Sequence, residues 1–224
     1  MMGMNHRWIL TSLALLSVVL HAAGQAGQLD PAFDTDGQSH FPQVGGAFPI
    51  AIGAGTNGTV AVAGYTWLNG YDIIVAKLND DGSLNSSFGN GGVVTTDLGS
   101  VDDGATAVVV DAQDRIIAGG WTQTSDREFA LVRYLPDGTL DPSFGGDGAV
   151  WNDLGQGDDR CFALALQPDG KILAAGVGHG AAARMVVLRY NADGTLDNSF
   201  DGDGIVLVDS AMKANAIALR PDGR

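Results

Sequence analysis

Short apolar runs separated by Asp-Gly turns follow one another along most of this chain. Residues 161–209 contain four such runs, at 162–167, 171–176, 185–190 and 205–208. Runs of this length that are rich in β-branched and aromatic residues are typical of strands, and Asp-Gly pairs favour tight turns between them. The pattern predicts four short antiparallel strands connected in sequence.

The same pattern recurs with a period of about 56 residues. A leucine opens a Leu-Asp/Asn-x-x-Phe motif in each copy, at Leu29, Leu84, Leu140 and Leu196. The phenylalanine follows four positions later, at Phe33, Phe88, Phe144 and Phe200. Repeats of this length are typical of propeller blades or solenoid units.

The apolar runs are continuous rather than alternating, so each sheet is expected to be covered on both faces. We therefore predict an all-β fold made of antiparallel four-stranded blades of a β-propeller. The whole units are 47–97, 105–153 and 161–209, and partial units occupy 29–46 and 214–224. Closed rings take about 4–8 blades, so we expect an incomplete arc of about three and a half blades.

Two further structural expectations follow from the composition of the strands. The second strand of each unit is rich in alanine and glycine, so we expect it to lie near the crowded axis of the arc, where the blades converge. Residues 214–219 repeat the pattern of a first strand, and residues 29–41 contain the motif and a last strand.

Three segments carry a resemblance to a known family. They are Asp-Gly-Lys-Ile-Leu-Ala-Ala-Gly at 169–176, Leu-Arg-Tyr-Asn-Ala-Asp-Gly-Thr-Leu-Asp at 188–197 and Phe-Gly-Gly-Asp-Gly at 144–148. Together they resemble the bacterial delta-60 repeat, a family of uncharacterised β-propeller repeats in exported proteins. The resemblance covers residues 28–224 and implies fold and export, but no established catalytic residues. Because the units are few, it also implies further repeats of a longer chain as neighbours.

The N-terminal residues 1–26 have the features of a secretory signal. His6 and Arg7 precede an apolar stretch at 8–20, and Gly24-Gln25-Ala26 offers a cleavage site between small residues. The apolar stretch is too short to span a bilayer comfortably. We expect residues 27–224 to be the mature repeat region, secreted, periplasmic or on the cell surface, with no transmembrane segment.

Charge and cysteine content narrow the classes of partner. The chain has 12 Lys and Arg against 26 Asp and Glu, a formal charge of −14. Such a surface repels phosphate backbones, so nucleic acid is not expected as a partner. An extracellular protein or a glycan is the expected partner class. Cys161 is the single cysteine, so an intramolecular disulfide and a cysteine metal cage are both excluded.

The Leu-Asp-x-x-Phe motif is interpreted as a packing device. A catalytic site is assembled once on a propeller, whereas a packing contact is needed in every blade. The expected structural anchors are Leu29, Phe33, Leu84, Phe88, Leu140, Phe144, Leu196 and Phe200.

The turns after these phenylalanines contain candidate calcium ligands. Asp34 and Asp36 lie in the first copy, and Asp201 and Asp203 in the last. Oxygen ligands at alternate positions before a glycine are how short calcium loops are built. The second copy, Phe88-Gly89-Asn90-Gly91-Gly92, has no carboxylate in its turn. A structural turn is the favoured interpretation, and no cofactor is expected.

Acidic pairs and aromatic residues complete the candidate sites. Asp102-Asp103 and Asp158-Asp159 precede first strands and are interpreted as solvated loop charges. Aromatic residues that follow the second strands are candidates for ligand binding, since large exposed aromatic side chains are typical interaction residues. They are Tyr65, Trp67 and Trp121.

No nucleophile–base pair is visible in the sequence, so we expect a protein that is not an enzyme. The favoured function is an exported, non-catalytic binding or structural module. One alternative is a hydrolase or lyase acting on an extracellular polymer at the propeller axis, as fold does not decide function. The other is a surface repeat protein rigidified by calcium.

Overall fold

The structure is a computed structural model. It describes residues 29–36, 38–39, 46–67, 70–179, 182–209 and 212–223. The predicted signal peptide at 1–26 lies outside these residues, as do residues 37 and 40–41 of the segment in which a last strand is predicted. In the described part of the chain all regular structure is β, and no helix there is long and apolar enough to cross a membrane.

Within the described ranges, twelve strands form three antiparallel sheets of four, and the strands of each sheet are ordered as they follow one another in the chain. The first sheet contains β1 (Ala47–Ala54), β2 (Val60–Trp67), β3 (Tyr71–Leu78) and β4 (Val93–Thr96). The second contains β5 (Asp103–Val110), β6 (Ile116–Gln123), β7 (Arg127–Tyr134) and β8 (Ala149–Asn152). The third contains β9 (Arg160–Leu166), β10 (Ile172–His179), β11 (Ala183–Tyr190) and β12 (Ile205–Val208). The predicted four-stranded blades are confirmed.

The sheets pack face to face around two apolar cores. One core joins the first and second sheets and includes Val75, Phe88 and Ile116. The other joins the second and third sheets and includes Leu131 and Leu188. The second sheet is therefore covered on both faces, which explains why its apolar runs are continuous. The three blades form an incomplete propeller.

The inner edge of the arc is formed by the first strands. β1 contacts β5, and β5 contacts β9, while the fourth strand lies at the opposite edge of each sheet. The second strand lies next to this inner strand in each sheet, which agrees with the expectation that it lies near the axis. One glycine of each second strand also has a local cause.

A bulge in each first strand explains the glycine of the second strand. The pairing of β5 with β6 skips a residue between Ala105 and Ala107, directly opposite Gly120. A Cβ on Gly120 would lie 1.8 Å from the carbonyl oxygen of Gly104. The corresponding glycines of the other sheets, Gly64 and Gly176, meet a carbonyl oxygen at 1.9 Å. Only glycine fits opposite the bulge.

Gly120→Ala should destabilise the protein by about 1–3 kcal/mol, because a backbone carbonyl must move to admit the methyl group. Gly55→Ala is the matched control. The nearest neighbours of its Cβ would all be side-chain atoms, of Asn57 and Val110 at 3.0 Å and of Thr59 at 3.5 Å. Urea denaturation would measure both changes; equal midpoints for the two variants would contradict the bulge explanation.

The segment at 214–219 does not form the predicted strand. It runs along the third sheet, where the Ala214 amide donates to the Gly176 carbonyl over 2.9 Å. The Gln167 side chain also donates to the Gly223 carbonyl over 2.8 Å. A first strand forms its backbone hydrogen bonds with the second strand that follows it, and no such strand follows among the described residues. The strand prediction for this segment is wrong for that reason.

Candidate functional site

The Leu-Asp-x-x-Phe motif lies in the connection between the third and fourth strands, at the outer side of each sheet. Phe88 and Phe144 are completely buried, whereas Phe33 and Phe200 are half-buried. The leucines Leu84, Leu140 and Leu196 are half-buried as well, and Leu29 is 58% exposed. The expected anchors therefore differ in burial, and Leu29 is not a buried anchor.

Contact with the next sheet contributes to the burial of each phenylalanine but does not by itself complete it, since Phe33 has this contact and is half-buried. Phe144 lies beneath the turn of the third sheet, where a Cβ on Gly194 would be 3.0 Å from its ring. Phe33 packs in the same way beneath Gly82 of the first sheet. For Phe200 no following sheet lies among the described residues, so its ring stays partly open.

An ion-pair node accompanies the motif in the second and third sheets. Arg133 donates through Nε to Asp141 over 2.8 Å, and its guanidinium lies 4.6 Å from the Phe144 ring centroid. Arg133 also donates to the carbonyl of Ala192 in the third sheet, and so links two blades. In the third sheet Arg189 repeats the bond to Asp197 over 2.7 Å. Recurrence from one unit to another is typical of a packing contact.

The first sheet uses a different charge arrangement at the same place. Lys77 replaces the arginine and Asn85 replaces the aspartate. The Lys77 ammonium donates instead to Asp114 of the second sheet over 2.6 Å, and to the Pro136 carbonyl over 3.2 Å. The cation is thus neutralised by the neighbouring blade rather than by its own.

The aspartates that open the first strands are not solvated. Asp103 and Asp159 are completely buried, although Asp102 and Asp158 stay partly exposed. Asp103 accepts from the Leu98 amide over 2.8 Å and from the Ser100 hydroxyl over 2.6 Å. Asp159 accepts in the same way from the amides of Leu154 and His179. Buried loop amides require acceptors, and these carboxylates supply them; the solvated-charge interpretation is wrong for both.

The aspartates after the phenylalanines build turns. Asp34 and Asp201 adopt left-handed φ values of 45° and 54°. Asp36 accepts from the Gln38 amide over 2.8 Å, and Asp203 from the Ile205 amide over 2.9 Å. These contacts agree with the turn interpretation, and calcium at these positions stays an untested alternative.

The structure brings the three candidate aromatic residues together. Tyr65, at the end of β2, lies at the centre and contacts Trp121 of the second sheet at 5.7 Å between ring centroids. Tyr71 contacts Tyr65 at 5.0 Å and Trp67 at 4.4 Å, and Phe48 stacks on Tyr65 at 5.3 Å. We call these five residues the aromatic cluster.

Exposure differs sharply within the aromatic cluster. Trp121 is only 5% exposed, and the guanidinium groups of Arg127 and Arg160 lie 5.5 Å and 5.3 Å from its ring. Trp67 is 59% exposed and Phe48 is 48% exposed. Trp121 is therefore the packed base of the cluster, and Trp67 and Phe48 present their rings to solvent.

Phe48 and Tyr71 were absent from the sequence-based candidates. The signal for both is cross-strand pairing, since Phe48 lies opposite Tyr65 and Tyr71 lies opposite Trp67 in the register of the first sheet. Directly opposed residues in neighbouring strands place their side chains on one face.

Candidate nucleophiles are the hydroxyl and thiol side chains of the described residues, and the imidazole that the structure describes is that of His179. No hydrogen bond among the described residues joins a Ser, Thr or Cys side chain to this imidazole. Cys161 is completely buried, and this burial raises the pKa of its thiol to about 12. The thiol is therefore protonated and inert at neutral pH.

Comparison with known families agrees with the fold. Residues 56–88, 114–144 and 167–200 match the family model described as "Domain of unknown function (DUF5122) beta-propeller". Each matched segment runs from the turn before a second strand to the phenylalanine of the motif. No curated protein matches the chain. The fold and the match together define a β-propeller repeat domain of unknown function.

Proposed function

We propose that the protein is an exported, non-catalytic binding module that takes a neutral glycan on its aromatic cluster. The exposure of Trp67 is the observation that carries this proposal. A tryptophan side chain that is 59% exposed leaves a large apolar area in water, although its neighbours Tyr65 and Tyr71 are partly covered. Exposed aromatic residues in a contiguous group are typical of interaction sites.

The cluster is held in place before any ligand arrives. Tyr71 fixes the edge of Trp67, and Tyr65 rests on the buried Trp121. A ligand would therefore meet aromatic rings that lose little conformational freedom on binding.

Polar groups beside the rings favour a sugar over a purely apolar ligand. Asp102 accepts from the Tyr71 amide over 3.1 Å, which places a carboxylate next to the cluster. The apolar face of a sugar ring can stack on Trp67 while its hydroxyl groups donate to nearby carboxylates. The acidic surface favours a neutral sugar over an anionic one.

Export and lack of catalysis complete the proposal. Export is supported by the signal-like residues 1–26. The non-catalytic role is supported by the recurrence of the Arg133 node in the third sheet and by the inert thiol of Cys161. The arguments for export and for a non-catalytic role hold whether or not the ligand is a glycan.

Trp67→Ala should weaken binding of a neutral polysaccharide at least about tenfold, the equivalent of 1.4 kcal/mol. Electrophoresis of residues 27–224 through gels containing soluble neutral polysaccharides would measure the loss as reduced retardation. Trp151→Ala is the control, because Trp151 is 47% exposed on β8 but lies outside the cluster.

Two results would overturn the glycan proposal. One is a wild-type protein that no neutral polysaccharide retards, and the other is equal retardation of wild type and Trp67→Ala. A polysaccharide shortened during incubation would favour the hydrolase or lyase alternative instead.

A further inference from the structure

Three aspartates from different elements meet where the first sheet joins the second. They are Asp72 in β3, Asp97 just after β4 and Asp103 at the start of β5, and we call them the aspartate trio. One carboxylate oxygen from each lies within 4.8 Å of the others. Among the described residues this is the single group of three acidic or imidazole side chains arranged in this way.

The three carboxylates of the trio lie close together, and none of them forms an ion pair with a cationic side chain among the described residues. None of the ion pairs among the described residues includes Asp72, Asp97 or Asp103. Burial raises the pKa of Asp72, and the charges of Asp97 and Asp103 raise it further. Three carboxylates this close repel one another unless a cation or a proton lies between them.

A buried hydroxyl without a hydrogen-bond partner lies across the pairing of β2 with β3 from one member of the trio. Thr66 is completely buried, and its Oγ1 has no partner among the described atoms. Thr66 lies directly opposite Asp72 in the pairing of β2 with β3. Opposed residues project to the same face of a sheet, so the hydroxyl is directed to the side of Asp72. An unsatisfied buried hydroxyl is costly, and coordination of a cation by its oxygen would remove that cost.

The third sheet carries a cation at the equivalent position. Arg184 replaces Asp72 there, and Asp209 corresponds to Asp97. The Arg184 guanidinium lies 3.7 Å from the Asp209 carboxylate. The fold therefore places positive charge at this corner of a blade when the chain encodes it.

The second sheet differs again. Glu128 corresponds to Asp72, but its carboxylate accepts a hydrogen bond from the Thr124 hydroxyl. The longer side chain is thus engaged within its own hairpin, and no second trio is assembled among the described residues.

We propose that the aspartate trio and Thr66 bind one calcium ion. Calcium takes 6–8 oxygen ligands, and irregular sets of carboxylates, hydroxyls and water suit it better than magnesium, which demands near-ideal octahedral geometry. The ion ties β3 and the end of β4 to the start of β5, and so fastens the first blade to the second. This site differs from the calcium loops considered at Asp34, Asp36, Asp201 and Asp203, and it is independent of glycan binding.

Calcium should raise the melting temperature of chelator-treated residues 27–224 by about 5–10 °C at a hundredfold excess over the dissociation constant. Titration calorimetry with calcium chloride should show one site per chain. Asp72→Asn should abolish both the heat and the shift. Asp153→Asn should keep both, because Asp153 occupies the position of Asp97 in the second sheet, where no trio forms.

Asp72→Arg provides a second test, since it transplants the arrangement of Arg184. Without calcium this variant should melt above the wild type, and calcium should leave its melting temperature unchanged. The proposal is overturned by a wild type that shows neither heat nor shift with calcium, or by a calcium response that persists in Asp72→Asn or Asp72→Arg. An equal response to magnesium would refute the assignment of calcium.

Discussion

Phe144→Ala should lower the free energy of unfolding by about 3–5 kcal/mol, the usual cost of deleting a buried aromatic side chain. Phe144 is completely buried between the second and third sheets. Its ring is covered by the turn at Gly194 on one side and approached by the Arg133 guanidinium at 4.6 Å. The substitution therefore removes apolar contact, leaves a cavity between blades and takes away the surface on which the guanidinium rests.

Urea denaturation of Phe144→Ala and Phe200→Ala would measure the contribution of the neighbouring sheet. Both rings hold the same place in the repeat and both contact an arginine, but Phe200 is only half-buried. Phe200→Ala should therefore cost less than about half as much. Equal losses for the two variants would show that packing within one sheet, rather than between sheets, anchors the motif.

The burial of Phe144 and Phe200 differs although both occupy the same position in the repeat, so the repeat pattern alone does not predict burial. The 56-residue period correctly gave the four-stranded units and the place of the phenylalanines, because each unit encodes its own strands and turns. It could not give the burial of Phe200 or Leu29, because burial depends on the contacts that each unit makes with its neighbours and not on the motif alone. The same motif is therefore expected to contribute less to the free energy of unfolding at the ends of the arc than in its middle.

Other details depended on contacts that a linear pattern does not contain. The bulge opposite Gly120 arises from the register of β5 and β6, which the composition of the second strand alone does not show. Phe48 and Tyr71 joined the aromatic cluster through cross-strand pairing. The aspartate trio draws its members from three elements, at 72, 97 and 103, which no spacing rule connects.

The ion-pair node of the second sheet, Arg133 and Asp141, is expected to make the other large contribution to stability. Asp141→Asn should cost about 3–5 kcal/mol, because it leaves the guanidinium of Arg133 buried without its counter-charge. Arg133 and Asp141 have side chains that are only 2% and 5% exposed. Burial alone would raise the pKa of Asp141, but hydrogen bonds from Ser143 and the charge of Arg133 keep this pKa below its usual value. The folded protein therefore favours the charged carboxylate that the substitution removes.

The first sheet shows that asparagine itself fits at this position. Asn85 accepts from the Ser87 amide over 3.1 Å, just as Asp141 accepts from the Ser143 amide over 3.0 Å. What differs is the source of negative charge, which Asp114 of the next sheet supplies to Lys77. The position of Asp114 is taken in the third sheet by Gly170, so Asp141→Asn has no such substitute.

Transplanting the complete arrangement should therefore restore stability. In Arg133→Lys/Asp141→Asn/Gly170→Asp, the new carboxylate would face the introduced ammonium group as Asp114 faces Lys77. The backbone permits this change, because Asp114 and Gly170 share left-handed φ values of 62° and 84°. A Cβ on Gly170 would meet only the Ala192 Cβ, at 3.8 Å. The triple variant should recover at least about half of the loss expected for removing one partner of a buried pair.

Urea denaturation at neutral pH of the triple variant and of Arg133→Lys/Asp141→Asn would isolate the contribution of the new aspartate. Sites in one charge network are not additive, so the comparison must be made in the same background. A triple variant no more stable than the double would show that the cation in this node requires a carboxylate from its own sheet. Recovery would instead establish that a carboxylate of the next sheet can replace the carboxylate of the same sheet as the partner of the cation. Neighbouring blades would then stabilise each other through charge as well as through the packing of Phe144.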